Sequence, residues 1–124
     1  MRKPRPKYLN LIKIRLPVPG VVSIMHRISG AALFLLIPVL LCLLELSLAS
    51  ERGFAAIRGA LTTPLAKLAL IALLWGFLHH FFAGIRYLVL DLDVGSDLPA
   101  ARASSWAVLA ASILLTLAFG VLLW

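Results

Sequence analysis

Three long apolar stretches alternate with short polar connections along this chain. Each approaches the roughly 20 apolar residues that an α-helix needs to cross about 30 Å of hydrocarbon. The first stretch lies between about Val21 and Leu48, and its only charges, Arg27 and Glu45, are near its two ends. The pattern predicts an all-α membrane protein with three transmembrane helices.

Prolines and capping residues set the limits of these elements. Four prolines among the first twenty residues disfavour a continuous helix and indicate an extended arm along the membrane surface. Thr63 followed by Pro64 is typical of a helix start. The predicted organisation is a basic arm at residues 1–20, transmembrane helices at 21–48, 64–91 and 104–124, an external connection at 49–63 and a cytoplasmic turn at 92–103. The 49–63 connection is long enough for a short interfacial helix.

Composition places the chain in a bilayer, since 62% of its 124 residues are hydrophobic, against roughly 45–50% in soluble domains. The formal charge of +7 does not indicate nucleic acid, because half of the twelve basic residues crowd into the first fifteen positions. Such a bias is a topology signal. It predicts a multi-pass protein of a bacterial inner membrane, with the N-terminus and the Asp-rich turn cytoplasmic and the C-terminus periplasmic. The single Cys42 is expected only to pack.

Two adjacent histidines lie eleven and twelve residues before Asp91, near mid-membrane. An ionisable residue at that depth is a functional-site hypothesis. The residues Ala72, Gly76, His80 and Gly84 follow one another at i+4, so small side chains flank His80 along one helix face. That face suits a flat haem ring ligated by imidazole, and it equally suits close packing of a neighbouring helix. For His79 we expect a hydrogen bond to another helix.

Polar residues also cluster at the cytoplasmic end of the first two spans. Ser23 and Arg27 are one turn apart, with His26 beside them, and they offer donors to a quinone carbonyl or a haem propionate. The alternative is that Arg27 only extends towards lipid phosphate. Arg86 and Asp91 lie at the same level and either complete this polar layer or form an ordinary interfacial ion network.

Two segments resemble a known family. Ser23-Ile-Met-His-Arg-Ile-Ser-Gly30 and His80-Phe-Phe-Ala-Gly-Ile-Arg-Tyr-Leu-Val-Leu-Asp91 are similar to the two signatures of the cytochrome b556 membrane-anchor subunits of succinate dehydrogenase. The basic arm, the three spans and the terminal Trp124 also look like this family. The resemblance therefore covers nearly the whole chain.

The resemblance implies a subunit of respiratory complex II. In that complex a flavoprotein subunit and an iron–sulfur subunit carry FAD and the iron–sulfur clusters, oxidise succinate and pass electrons to ubiquinone. Two small anchor subunits hold them on the membrane. This chain would be one anchor, with its three helices packed in a bundle with those of the second. The dehydrogenation chemistry would then belong to the complex and not to this chain alone.

The same resemblance assigns roles to individual residues. His80 matches an axial ligand of the iron of one haem b, whose other axial ligand comes from the second anchor subunit. Ser23 and Arg27 match residues that line the ubiquinone site, and His26 and Arg27 match residues near the haem propionates.

One departure concerns position 87, where many relatives have histidine and this chain has Tyr87. The change affects local contacts and leaves His80 intact, and with no second well-placed histidine we expect at most one haem. A haem-free structural anchor or assembly subunit is the alternative, and it predicts no haem absorbance. A transporter is disfavoured, since the interior of the third span offers only Ser112 and Thr116 as polar groups.

Overall fold

Three long helices and one short helix make up the described part of this chain. The computed structural model describes residues 15–124, except for the side chain of residue 123. Its helices are α1 Val18–Ala49, α2 Glu51–Leu61, α3 Pro64–Asp91 and α4 Leu98–Leu123. Helices α1, α3 and α4 are long and apolar enough to cross a membrane, which confirms the predicted all-α fold with three transmembrane helices. Of the predicted basic arm, residues 1–14 lie outside the described residues.

Each long helix begins at a proline-containing first turn. α1 starts at Val18, within the stretch that the prolines were expected to keep extended, because Pro19 falls in the first turn, where a missing N–H costs no hydrogen bond. The hydroxyl of Thr63 accepts from the Ala66 N–H at the start of α3, at 3.4 Å. The Asp97 carboxylate caps α4 in the same way.

The short helix α2 folds back against the end of α1. Ser50 caps it, since its hydroxyl accepts from the Gly53 N–H at 3.0 Å. A Cβ at Gly53 would collide with the Leu46 carbonyl oxygen of α1. The corner between the two helices therefore needs glycine at this position.

The three long helices run alternately up and down. α3 packs against both α1 and α4, and α1 also contacts α4. At one end, the Lys67 ammonium group donates to the Trp124 carbonyl at 2.8 Å and lies 5.4 Å from the centroid of its indole ring. At the other end, the start of α1, the end of α3 and the start of α4 come together. Because neighbouring helices run antiparallel, the polar residues at the start of α1 and at the end of α3 lie at the same end of the bundle.

The core between the helices is small. Its fully or nearly buried apolar members are Val22, Ala83 and Val108. Most large apolar side chains are exposed, as expected where the surrounding solvent is lipid. In α1, no residue of the most apolar 18-residue stretch is buried within this chain. The sides of this helix are therefore free to contact lipid or a partner helix.

Candidate functional site

The two histidine-containing segments meet face to face across the α1–α3 contact. The imidazole rings of His26 and His80 are stacked, with centroids 4.2 Å apart and an angle of 8° between their planes. Tyr87 lies on the other side of His26, with its ring centroid 5.1 Å away. The predicted haem ligand and the predicted propionate neighbour are therefore direct neighbours.

The hydrogen bonding of His80 defines which ring nitrogen is available. Its Nδ1 lies 3.0 Å from the backbone carbonyl oxygen of His26. Because a carbonyl oxygen can only accept, this bond requires the proton on Nδ1 and leaves the lone pair of Nε2 free. A histidine that binds a metal through one nitrogen typically donates its other N–H to a backbone carbonyl in this way.

Ser29 belongs to the same contact. Its hydroxyl donates to the His26 carbonyl at 3.0 Å and lies 3.4 Å from the Nδ1 atom of His80. The side chain is buried, at 7% exposure, so the hydroxyl is held inside the helix pair.

Gly30 lets the two helices approach at this point. A Cβ placed on Gly30 would lie 2.7 Å from Cε1 and 3.1 Å from Nδ1 of His80, closer than real Cβ contacts. The edge of the imidazole ring therefore packs directly on the α1 backbone.

The row of small residues on α3 serves two purposes along its length. At the Gly84 end of this row α1 is close, since a Cβ on Gly84 would lie 3.7 Å from Nε2 of His26. At its upper end, Ala72 and Gly76 line an open groove of about 500 Å³ between α1 and α3, together with Ser29 and aliphatic side chains. Close packing of α1 is therefore found at the Gly84 end of this face, and open apolar space is found at the end that carries Ala72 and Gly76.

The groove and the available Nε2 atom of His80 fit a haem better than a free ion. Residues 15–124 contain no group of three or more histidine, cysteine, aspartate or glutamate side chains that would hold a metal ion. A haem iron already has four ligands in its ring plane and takes only axial ligands from protein. One neutral imidazole beside an apolar groove is the contribution that such a group needs.

His79 points away from this groove into the helix bundle. It is fully buried, and its ring stacks on Trp75 with centroids 5.5 Å apart. Within the described chain neither ring nitrogen makes a hydrogen bond of good geometry, but the backbone of Val22 on α1 lies close enough to interact with the ring, so the hydrogen bond to another helix stays a prediction.

Arg86 is directed at α4 and not at the polar residues of α1. It is buried, and its guanidinium donates to the Ser104 hydroxyl at 2.9 Å and to the Ala101 carbonyl at 3.3 Å. Its Cζ also lies 5.5 Å from the centroid of the Tyr87 ring. Arg86 thus reaches the histidine pair only through Tyr87, and Asp91 is exposed at the end of α3.

Ser23 and Arg27 lie one turn apart on α1, before and after His26 of the histidine stack. Ser23 is half-buried and Arg27 is exposed. Their hydroxyl and guanidinium donors are therefore accessible from outside this chain at the level of His26.

Sequence reasoning did not single out Ser29 and Gly30. They stand three and four residues after His26, which is the helical spacing of a shared face. That spacing is the signal that could have identified them.

The whole chain is similar to membrane subunits of one enzyme. Residues 1–119 match the family model described as the transmembrane subunit of succinate dehydrogenase and fumarate reductase. The succinate dehydrogenase cytochrome b556 subunit of Coxiella burnetii is 37% identical over 125 residues, which cover 100% of both chains. The subunit of that name from Paracoccus denitrificans is 32% identical over 90% of this chain and 85% of its own. That from Rickettsia typhi is 30% identical over 99% and 91%.

Proposed function

Because this chain belongs to the family of succinate dehydrogenase and fumarate reductase transmembrane subunits, we propose that it anchors succinate dehydrogenase in the membrane. In this function it holds haem b jointly with a second anchor subunit and forms part of the site where ubiquinone is reduced. The hydrogen bond from Nδ1 of His80 to the His26 carbonyl carries the proposal, because it leaves Nε2 free to bind iron.

The haem assignment rests on residues of both helices. Nε2 of His80 would hold the haem iron, and the open end of the small-residue row, at Ala72 and Gly76, would leave room for a flat apolar ring. The matched relatives are named as cytochrome b556 subunits, which implies a b-type haem in those proteins. When bound, the haem supplies a one-electron acceptor within the membrane. The surrounding apolar side chains exclude water from it and thereby influence its potential.

The quinone assignment rests on Ser23 and Arg27. Ser23 donates a hydrogen bond to a quinone carbonyl, and the Arg27 guanidinium stabilises the negative charge that develops on the oxygen during reduction. Both side chains are accessible from outside the chain, as a site shared with another subunit requires. Full reduction to the quinol consumes two electrons and two protons, and the exposed carboxylate of Asp91 is suited to relay protons taken up from the cytoplasmic water, one at a time.

The remaining chemistry belongs to partner subunits. FAD and iron–sulfur clusters oxidise succinate in the flavoprotein and iron–sulfur subunits and deliver electrons to the quinone site. The second anchor subunit packs against the exposed flank of α1, whose most apolar window is not buried within this chain. The protein lies in the bacterial inner membrane with its N-terminus in the cytoplasm.

A difference spectrum tests the haem proposal. The complex is purified with all its subunits, and reduced-minus-oxidised spectra are compared for wild type, His80→Ala and the control His79→Leu. We expect a b-type band that is lost or shifted only in His80→Ala. An unchanged His80→Ala spectrum would exclude His80 as the ligand. Absence of the band in wild type would leave a haem-free anchor.

A further inference from the structure

Two residues of α1 control how His80 is presented. We propose that Gly30 and Ser29 are positioning residues, which fix the plane and the protonated nitrogen of the His80 imidazole. The inference rests on the proposed function, because the imidazole matters to a haem only if His80 binds one. Neither residue touches the iron in this arrangement, and both act through His80.

Gly30 fixes the distance between the ring and α1. The ring edge that faces α1 carries Cε1 and Nδ1, and a Cβ on Gly30 would lie 2.7 and 3.1 Å from these atoms. One face of the ring is covered by His26 at a centroid distance of 4.2 Å, so the ring has little freedom to turn aside. A methyl group at Gly30 must therefore push the imidazole away from α1. That displacement stretches the 3.0 Å bond between Nδ1 and the His26 carbonyl.

Ser29 stabilises the acceptor side of the same bond. Its hydroxyl hydrogen is directed at the His26 carbonyl at 3.0 Å, which leaves the hydroxyl oxygen beside Nδ1 at 3.4 Å. The Nδ1–H group therefore points at two oxygens, and both stand on one turn of α1. In the other neutral tautomer the proton would be on Nε2 and Nδ1 would be an acceptor. The bond to the His26 carbonyl would then be lost, because a carbonyl oxygen cannot donate a hydrogen bond to Nδ1.

The consequence for a bound haem is specific. Hydrogen bonding of an axial ligand and its orientation are the means by which a protein tunes the affinity and potential of the iron. Changes at Gly30 and Ser29 should therefore alter the haem even though His80 itself is unchanged. A role limited to helix packing would alter stability and leave the properties of the haem as they are.

Gly30→Ala, compared with Gly59→Ala in the purified four-subunit complex, is the first test. Within the described residues a Cβ on Gly59 has no atom within 4 Å, and Gly59 lies on α2, outside the proposed haem and quinone sites. The measurements are the haem-to-flavin ratio, the haem midpoint potential and the electron paramagnetic resonance signal of the ferric haem. We expect Gly30→Ala to weaken haem binding by roughly 10-fold or more and to shift the potential and the signal. Gly59→Ala should match wild type.

Ser29→Ala and Ser29→Thr form the second test, which decides the matter if Gly30→Ala does not assemble. Ser29→Ala removes only the hydroxyl and should shift the midpoint potential and the resonance signal, whereas Ser29→Thr keeps the hydroxyl and should restore them. Wild-type values in both Gly30→Ala and Ser29→Ala would overturn the positioning role. If wild type holds no haem or His80→Ala retains its spectrum, the proposed function fails instead, so the two failures are distinguishable.

Discussion

The imidazole of His26 lies parallel to that of His80, with ring centroids 4.2 Å apart and an interplanar angle of 8°. The contact joins α1 to α3 across 54 positions of sequence and is reinforced by the bond from Nδ1 of His80 to the His26 backbone. Ser23 and Arg27 extend from the same two turns of α1 that carry this contact. The proposed haem ligand on α3 therefore contacts the same short segment of α1 that carries the proposed quinone donors, and a shift of that segment would affect both.

Variants of His26 distinguish the contribution of its stacked ring from that of its backbone carbonyl, which every variant keeps. His26→Phe keeps a flat ring over His80 and leaves the carbonyl acceptor in place, so we expect haem to be retained. His26→Ala loses the stacked pair, which contributes about 0.5–1.5 kcal/mol, and should release haem at lower temperature. Haem absorbance followed during heating measures the difference. Equal loss of haem in both variants would mean that a polar contact of His26 matters and not the stacking.

Removing the guanidinium of Arg27 should weaken quinone binding. Arg27→Ala deletes a charge-assisted hydrogen bond worth about 1.5–3 kcal/mol, so the KM for quinone should rise roughly 10-fold or more. Arg27→Lys keeps the charge without the paired donors and should recover only part of the affinity. Steady-state quinone reduction by the intact complex measures both.

Two controls accompany the Arg27 variants. The first is Arg52→Ala. Arg52 is exposed on α2, at the other end of the bundle, so this variant should leave the quinone KM unchanged. Succinate oxidation with a water-soluble acceptor should be unchanged in all variants, because it bypasses the quinone. A wild-type KM in Arg27→Ala would remove Arg27 from the quinone site and favour simple contact with lipid phosphate.

The sequence was sufficient for the architecture, and it singled out the side chains to which the proposed function assigns chemistry. Apolar length predicted three spans, because nothing but a helix satisfies backbone hydrogen bonds within lipid at that length. Ala72 and Gly76, two members of the i+4 row that contains His80, line the open groove between α1 and α3. Both inferences depend on local periodicity, which a single sequence displays directly.

Contacts between helices could not be predicted in the same way. Which turn of α1 meets His80 depends on the rotation and offset of two helices whose sequences are 50 residues apart, so Ser29 and Gly30 were missed. Depth alone placed Arg86 at the level of Arg27, either in a shared polar layer or in an ordinary interfacial ion network with Asp91, whereas its side chain turns to Ser104 and Ala101 on α4. Depth along a helix can be counted from sequence, but the direction of a long side chain is decided by its neighbours.

His79 is a buried imidazole whose removal should cost little. Neither of its nitrogens makes a hydrogen bond of good geometry within the described part of the chain, and only the Val22 backbone lies close enough to interact, so the folded protein bears most of the desolvation of both polar atoms. We expect His79→Leu to leave the thermal midpoint of the complex unchanged or to raise it, as measured by differential scanning in detergent. A fall of several degrees would indicate a hydrogen-bonded group at His79, such as an internal water molecule.

Arg86 should have the opposite effect on stability. Arg86→Ala removes the bonds to Ser104 and Ala101, and each hydrogen bond to a charged group contributes about 1.5–3 kcal/mol. The thermal midpoint of the complex should fall by several degrees. The matched control is Arg102→Ala, because Arg102 is an exposed arginine on α4. Equal midpoints for the two variants would show that the α3–α4 contact does not depend on Arg86.

The orientation of the chain in the membrane can be tested with single cysteines in a Cys42→Ala background. Positive charge before α1 predicts that Ser96, in the turn before α4, faces the cytoplasm, and that Arg52, on α2, faces the periplasm. A membrane-impermeant thiol reagent should therefore label Arg52→Cys in intact cells whose outer membrane has been permeabilised. It should label Ser96→Cys only in inverted membrane vesicles. Because Asp91 and Arg27 lie at the same end of the bundle as Ser96, the reverse labelling pattern would put the proposed quinone site on the periplasmic side. Its proton supply would then have to come from that compartment.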